Sequence, residues 1–273
     1  MILNMECLWT GQWCAWMENK GIVIAANNEN GLNAVRVIKK ELCIPIEALI
    51  VHPESKSRLR DEIVLESMLP RERVISWSKN ALGNILSTLR DISSRWSLLS
   101  VNFGYIIPKQ LLDLFAFSVN LHTGYLPWNR GSHPNVWPFI DGSPAGVALH
   151  LMTPELDAGP IIERSRIEIE ECDTAKTLYK KLEEESIRVL KRSLLPFLEG
   201  EIHPFYPNEE GSFHSHKEFL ELFEIDMDRR VSARDFIGLM KALSYPPYKN
   251  AYYVTAKGEK VFLDISVSKE EEN

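Results

Sequence analysis

Short apolar runs alternate with stretches of helical periodicity through the first two thirds of the chain. Gly21 to Ala26 is apolar throughout and reads as a buried strand. Leu32 to Leu42 spaces its apolar residues as a helix does, and Ile46 to Val51 is a second apolar run. Strand, loop, helix, strand in that order predicts a parallel sheet covered by helices. The pattern goes on with a helix over 56–69, a short strand over 74–77, a helix over 81–96 and a strand over 97–103. Asn102 to Pro108 reads as a strand-to-helix turn that uses Gly104. Phe115 to Leu121 is mostly apolar and β-compatible, and it ends in polar residues, with Val119 to His122 as its polar-tipped end. A short helix is expected over 136–140 and strands over 145–152 and 160–169. A long helix follows, capped by Asp173 or Thr174 and running to Leu198.

The character changes after Gly200. Ile202 to His216 is rich in Pro, Gly, His and aromatic residues and reads as a loop. Helices are expected over 219–223 and 233–243, and strands over 251–255 and 260–265 are joined at Lys257-Gly258 as a hairpin. At the other end, Trp9, Trp13 and Trp16 recur at helical spacing, an aromatic stripe that reads as an extension packed on the body. The expected architecture is therefore α/β: a Rossmann-like, mostly parallel sheet flanked by helices over 1–200, with 1–20 readable as an extension. A small α+β appendage over 201–273 ends in the hairpin.

Composition narrows the field. The chain has 273 residues, 45% hydrophobic and 25% charged, which suffices for a core without disulfides. The net charge of −7 speaks against a general nucleic-acid-binding surface. Cys7, Cys14, Cys43 and Cys172 show no metal-like spacing and fit free thiols in a reducing compartment. No apolar run reaches transmembrane length, and Met1 to Met17 lacks the basic start of a signal peptide, so a cytoplasmic protein without membrane contact is expected. The loop after the first strand holds one glycine, Gly31, and is no dinucleotide fingerprint. His203, His214 and His216 match no zinc spacing, so no metal is expected.

The candidate chemistry sits at the end of the strand that closes at His122. Side chains two apart on a strand share a face, so Asn120 and His122 stand side by side. An amide can donate to a developing oxyanion, and an imidazole can move a proton near neutral pH. Asp157, in a later loop just past another apolar run, can orient the imidazole. The same three residues also fit a hydrogen-bonded polar cluster at a strand end. His133 and His150 flank this region, and His150, on the strand over 145–152, reads as a structural histidine. Lys109 is a helix-end cation.

The ordered set Asn120-Leu121-His122, Leu126-Pro127, Arg130-Gly131, Gly146-Val147-Ala148-Leu149-His150 and Leu156-Asp157-Ala158-Gly159 resembles the folate-dependent formyltransferases. That family includes methionyl-tRNA, glycinamide ribonucleotide and nucleotide-sugar N-formyltransferases. The resemblance is good over about 95–200 and looser in the tail. It implies formyl transfer from N10-formyltetrahydrofolate to an amine, with Asn120, His122 and Asp157 catalytic. By the same resemblance Phe103, Gly104, Tyr105 and Ile106 line the folate pocket, although the segment also fits a tight turn. Tyr125, Trp128, Asn129 and Arg130 would lie beside the acceptor, Arg130 on a pyrophosphate; they fit equally a turn braced by aromatics.

The run Ala242-Leu243-Ser244-Tyr245-Pro246-Pro247-Tyr248 and the terminal hairpin look like the tail of the bacterial nucleotide-sugar branch. They do not look like the basic barrel of the tRNA branch. The implied acceptor is a nucleotide-linked 4-amino-4,6-dideoxy sugar for surface polysaccharide (O-antigen) synthesis, and the implied assembly is a homodimer through the hairpin. Gly124-Tyr125 departs from the Ser-Leu usual in the tRNA enzymes, and Ala148 stands where relatives often have Thr, which leaves the acceptor more open than the chemistry. The tRNA and ribonucleotide acceptors, and an inactive sugar-nucleotide-binding subunit, remain as alternatives.

Overall fold

The computed structural model of the chain describes residues 21–56, 59–78, 82–90 and 96–270. The tryptophan stripe at Trp9, Trp13 and Trp16 lies outside the described residues, as do Cys7, Cys14 and the last three residues of the tail. Contacts divide the chain into two compact units. The first holds the residues up to His122 together with Ala148–Arg164 and Ser186–Pro207. The second holds Thr123–Val147, Ser165–Glu185 and Asn208–Asn273.

The elements alternate as the apolar pattern predicts: β1 (Ile22–Ala26), α1 (Asn28–Lys40), β2 (Ile46–Val51), α2 (Arg60–Ser67), β3 (Val74–Ser76), α3 (Leu82–Arg90), β4 (Ser97–Val101), α4 (Lys109–Leu112) and β5 (Phe117–His122). Then come β6 (Arg130–Gly131), α5 (Trp137–Asp141), β7 (Ala145–Leu151), β8 (Ile161–Ile167), α6 (Ala175–Leu198), β9 (Phe213–His214), α7 (His216–Glu221), α8 (Ala233–Leu243), β10 (Ser244–Tyr245), β11 (Tyr248–Lys249), β12 (Ala251–Val254) and β13 (Lys260–Leu263).

A seven-stranded sheet runs in the order β3-β2-β1-β4-β5-β7-β8. The pairs β2–β3, β1–β2, β1–β4 and β4–β5 are parallel, and β5–β7 is antiparallel. β1 and β4 are buried along their whole length, which is why β1 reads as an unbroken apolar run rather than an alternating one. On α1, Leu32, Val35 and Ile38 recur at helical spacing and are buried. Val23, Ala25, Ile50, Leu98, Leu111 and Phe115 belong to the core of the first unit.

Local chemistry accounts for where elements stop. β4 ends at Val101, two residues short of the sequence expectation, because Asn102 is left-handed at φ 49°. α7 starts at His216 rather than 219: Ser215 accepts from the Glu218 amide and Glu218 accepts from the Ser215 amide, a reciprocal cap written in the sequence as Ser-x-x-Glu. In the second unit Trp137, Phe219, Met240 and Leu243 form the core. β12 pairs antiparallel with β13, the expected hairpin, and its turn uses Gly258 at φ 80°.

Candidate active site

β5 delivers Asn120 and His122 to one face of the sheet. Asn120 is half-buried, and His122 retains only 8% of its surface. The antiparallel register sets Asn120 directly opposite His150 and His122 opposite Ala148. His150 is 2% exposed. The loop after β7 is pulled tightly onto that strand's end. Leu151 donates its amide to Pro160 at 2.9 Å, and Gly159 approaches so closely that an added Cβ would lie 1.8 Å from the Leu151 carbonyl oxygen. Within this loop Asp157 takes a left-handed conformation at φ 51°.

The result is one carboxylate held between two imidazoles and an amide. Asp157 Oδ2 lies 3.7 Å from His122 Nδ1, and Oδ1 lies 3.5 Å from His150 Nε2. Asn120 Nδ2 donates toward Asp157 Oδ1 at 3.4 Å and stands 3.1 Å from His150 Nε2. The two imidazole planes are perpendicular, with centroids 6.4 Å apart. The structure thus brings together Asn120, His122 and Asp157, and it adds His150. What the sequence lacks is the register: the Asn120–His150 contact joins positions thirty residues apart.

A cavity of about 380 Å³ is lined by Lys109, Leu112, Phe115, Ser118, Met152 and Pro154, among others. Ser118 is two residues before Asn120 on the same strand and so shares its face. Met152 donates its amide to the Ser118 carbonyl at 2.7 Å. The cavity lies at the Phe117–Ser118 end of β5, and Asn120, His122, His150 and Asp157 are not among its lining residues. Phe103, Gly104, Tyr105 and Ile106 do not line this cavity. Phe103 is a core residue at 2% exposure, packed edge-on to Trp77 at 5.4 Å, and its carbonyl is bonded by His52 Nε2. Tyr105 packs on the His52 ring at 4.7 Å, Gly104 takes φ 67°, and Ile106 is 77% exposed.

The remaining candidates belong to the second unit. Tyr125 lies over Gly146, where a Cβ would meet its ring at 2.8 Å. Trp128 is half-buried and donates its amide to the Tyr125 carbonyl at 3.0 Å. Asn129 is 1% exposed and braces the loop: its Nδ2 donates to the Pro144 carbonyl at 3.1 Å, and its Oδ1 accepts from Ser143 at 3.0 Å. Arg130 opens β6, which pairs with Phe213 and His214 of β9. His133 Nε2 lies 2.9 Å from His216 Nδ1, and its ring stacks on Phe219 at 3.7 Å. Burial, and secondarily the nearby His216, lowers the His133 pKa to about 4. His214 stacks on Trp137 at 3.9 Å and faces Asp141 at 3.5 Å. Among the described residues no group of three or more His, Cys, Asp or Glu could hold a metal ion, and no described helix is long and apolar enough to cross a membrane.

A family profile described as Formyl transferase matches residues 85–194, and one described as N-formyltransferase dimerization C-terminal domain matches 218–269. A dTDP-4-amino-4,6-dideoxyglucose formyltransferase of Mycobacterium tuberculosis (strain ATCC 25618 / H37Rv) is 30% identical over 188 residues, which span 68% of this chain and 80% of that protein. The chain belongs to the formyltransferase family. It is an N-formyltransferase. The enzyme's fold is similar to that of a 4-N formyltransferase from Francisella tularensis, with a TM-score of 0.78 at 25% identity, covering 92% of this chain and 99% of that one. A sugar N-formyltransferase from Shewanella sp. FDAARGOS_354 gives a TM-score of 0.79 at 22% identity with the same coverage, and shows the fold.

Proposed function

We propose that the enzyme transfers the formyl group of N10-formyltetrahydrofolate to the amino group of a nucleotide-linked 4-amino-4,6-dideoxy sugar, for a bacterial surface polysaccharide. The observation that carries this reading is the Asn120–His122–Asp157 cluster at the end of β5. The amine lone pair attacks the formyl carbon, and the carbonyl electrons move onto its oxygen. Asn120 Nδ2–H and His122 stabilise that oxygen. As the intermediate collapses the carbon–N10 bond breaks, the new amide loses the amine's proton, and N10 of the folate gains one. His122 carries this proton, and the Asp157 carboxylate 3.7 Å away holds the ring in place.

The acceptor class is supported by the 30% identical relative, whose name specifies a dTDP-linked 4-amino sugar, and by the tail of the chain. Tyr125, Trp128, Asn129 and Arg130 serve the acceptor side in this reading, Arg130 through its guanidinium on a pyrophosphate. Asn129 acts indirectly, because its side chain is spent on Pro144 and Ser143. Phe103, Gly104, Tyr105 and Ile106 frame the folate side through the turn they form. We assign the transfer chemistry to residues 1–200. Residues 201–273 form the appendage, through whose hairpin two copies associate in the cytoplasm.

The test is to incubate the protein with N10-formyltetrahydrofolate and a panel of nucleotide-linked amino sugars, led by dTDP-4-amino-4,6-dideoxyglucose, and to follow the acceptors by mass spectrometry. A formyl-mass gain on a 4-amino sugar is the expected result. A gain on methionyl-tRNA or glycinamide ribonucleotide instead would overturn the acceptor assignment, and folate binding with no transfer to any amine would overturn the activity.

A further inference from the structure

His150 has no assigned part in the chemistry above, and its hydrogen bonds leave little freedom. Its Nδ1 lies 2.9 Å from the Leu151 carbonyl oxygen, which can only accept, so Nδ1 carries a proton. In the neutral ring Nε2 is then a lone-pair acceptor. Asn120 Nδ2 sits 3.1 Å from that lone pair and 3.4 Å from Asp157 Oδ1. Turning the Asn120 amide over would aim its carbonyl oxygen at two acceptors at once. The neutral imidazole and the ionised carboxylate therefore agree on one orientation, with the NH₂ group on the face that carries His122. Of the two Asn120 contacts, the one to His150 is the normal bond and the one to Asp157 is long. The latter N–H is the one released most easily to a new acceptor.

We propose that His150 is a positioning residue for formyl transfer: its Nδ1–H tautomer, locked by the Leu151 carbonyl, holds the Asn120 amide so that one N–H is aimed at the oxyanion. This rests on the reading that the cluster stabilises an oxyanion in formyl transfer. Protonated His150 would present Nε2–H to Asn120, expel the NH₂ group and compete with His122 for Asp157, whose carboxylate lies within 4 Å of both rings, at 3.7 and 3.5 Å. His122, Asp157 and His150 are the titratable groups of this cluster.

Two measurements decide it. In the resting protein, nitrogen-detected NMR of the histidines is expected to show His150 protonated at Nδ1 and bare at Nε2, and His150→Leu is expected to shift the Asn120 side-chain amide signals. Neither readout needs turnover. In kinetics, His150→Leu is expected to lower kcat by more than about tenfold, up to the hundred- to thousand-fold that outright loss of an oxyanion donor costs, with the acceptor KM little changed. His150→Gln, whose amide oxygen can replace Nε2 as acceptor, is expected to restore most of the rate. In an Asn120→Ala background His150→Leu should cost almost nothing further. An Nε2–H tautomer, or an undiminished loss in that background, overturns the proposal. Absence of transfer by the wild-type protein would sink the functional reading instead, with the NMR result still deciding whether His150 sets the amide.

Discussion

Replacing Gly159 by alanine tests whether the site depends on how tightly the loop after β7 is held. The new Cβ would stand 1.8 Å from the Leu151 carbonyl oxygen and 2.8 Å from its carbon. Non-bonded carbon–oxygen contacts settle at about 3.3 Å, so loop and strand must part by about 1.5 Å. Both obstructing atoms are backbone, and no rotamer change relieves them. The displacement falls on two bonds, Leu151 N–H to Pro160 and His150 Nδ1–H to the Leu151 carbonyl, and on the placement of Asp157 two residues before the substitution. A misplacement of about 1 Å at a catalytic group costs roughly a hundredfold in rate, so kcat should fall by about that factor or more. Overpacking should also cost about 1–3 kcal/mol of stability, read as a lower denaturation midpoint. The assay pairs steady-state formyl transfer with chemical denaturation. An alanine variant with wild-type turnover would refute the view that this contact sets the Asp157 position.

His122→Ala should lower kcat by about a hundred- to ten-thousand-fold in a folded protein, since it removes the proton carrier; retained activity sinks the mechanism. Asp157→Asn should cost about a hundredfold in kcat while leaving folate binding, measured by fluorescence quenching, nearly intact. Because the folded pKa of His133 is lowered to about 4 from the usual value near 6.5, its contribution to stability is complete above about 6.5 and is lost as pH falls toward about 4. Denaturation midpoints over that range should fall less steeply for His133→Gln than for the wild type, and parallel curves would contradict the assignment. Phe262 on β13 is 45% exposed, and Phe262→Glu should turn a dimer into a folded monomer by light scattering; a wild-type monomer would end the dimer proposal.

Much of this protein was legible in its sequence, because the signals involved are local. β1 announces itself as an unbroken apolar run because both of its faces are buried. Asn120 and His122 share a face by the two-residue repeat of a strand, and the Lys257-Gly258 turn specifies its own hairpin. The Ser215-x-x-Glu218 cap is equally local, and it starts α7 three residues before the apolar periodicity does. Tertiary structure decided the rest. Which strand lies beside β5, in which direction and in which register, is fixed by long-range burial across the sheet rather than by any periodicity. That choice alone sets His150 opposite Asn120 and turns a structural histidine into a member of the site. Pattern alone likewise cannot say that Phe103 faces the core while Ile106 faces solvent, or that the Asn129 amide is consumed by Pro144 and Ser143. Each of these depends on what packs against the residue from elsewhere in the chain, and burial and hydrogen-bond satisfaction are settled only when those distant segments meet.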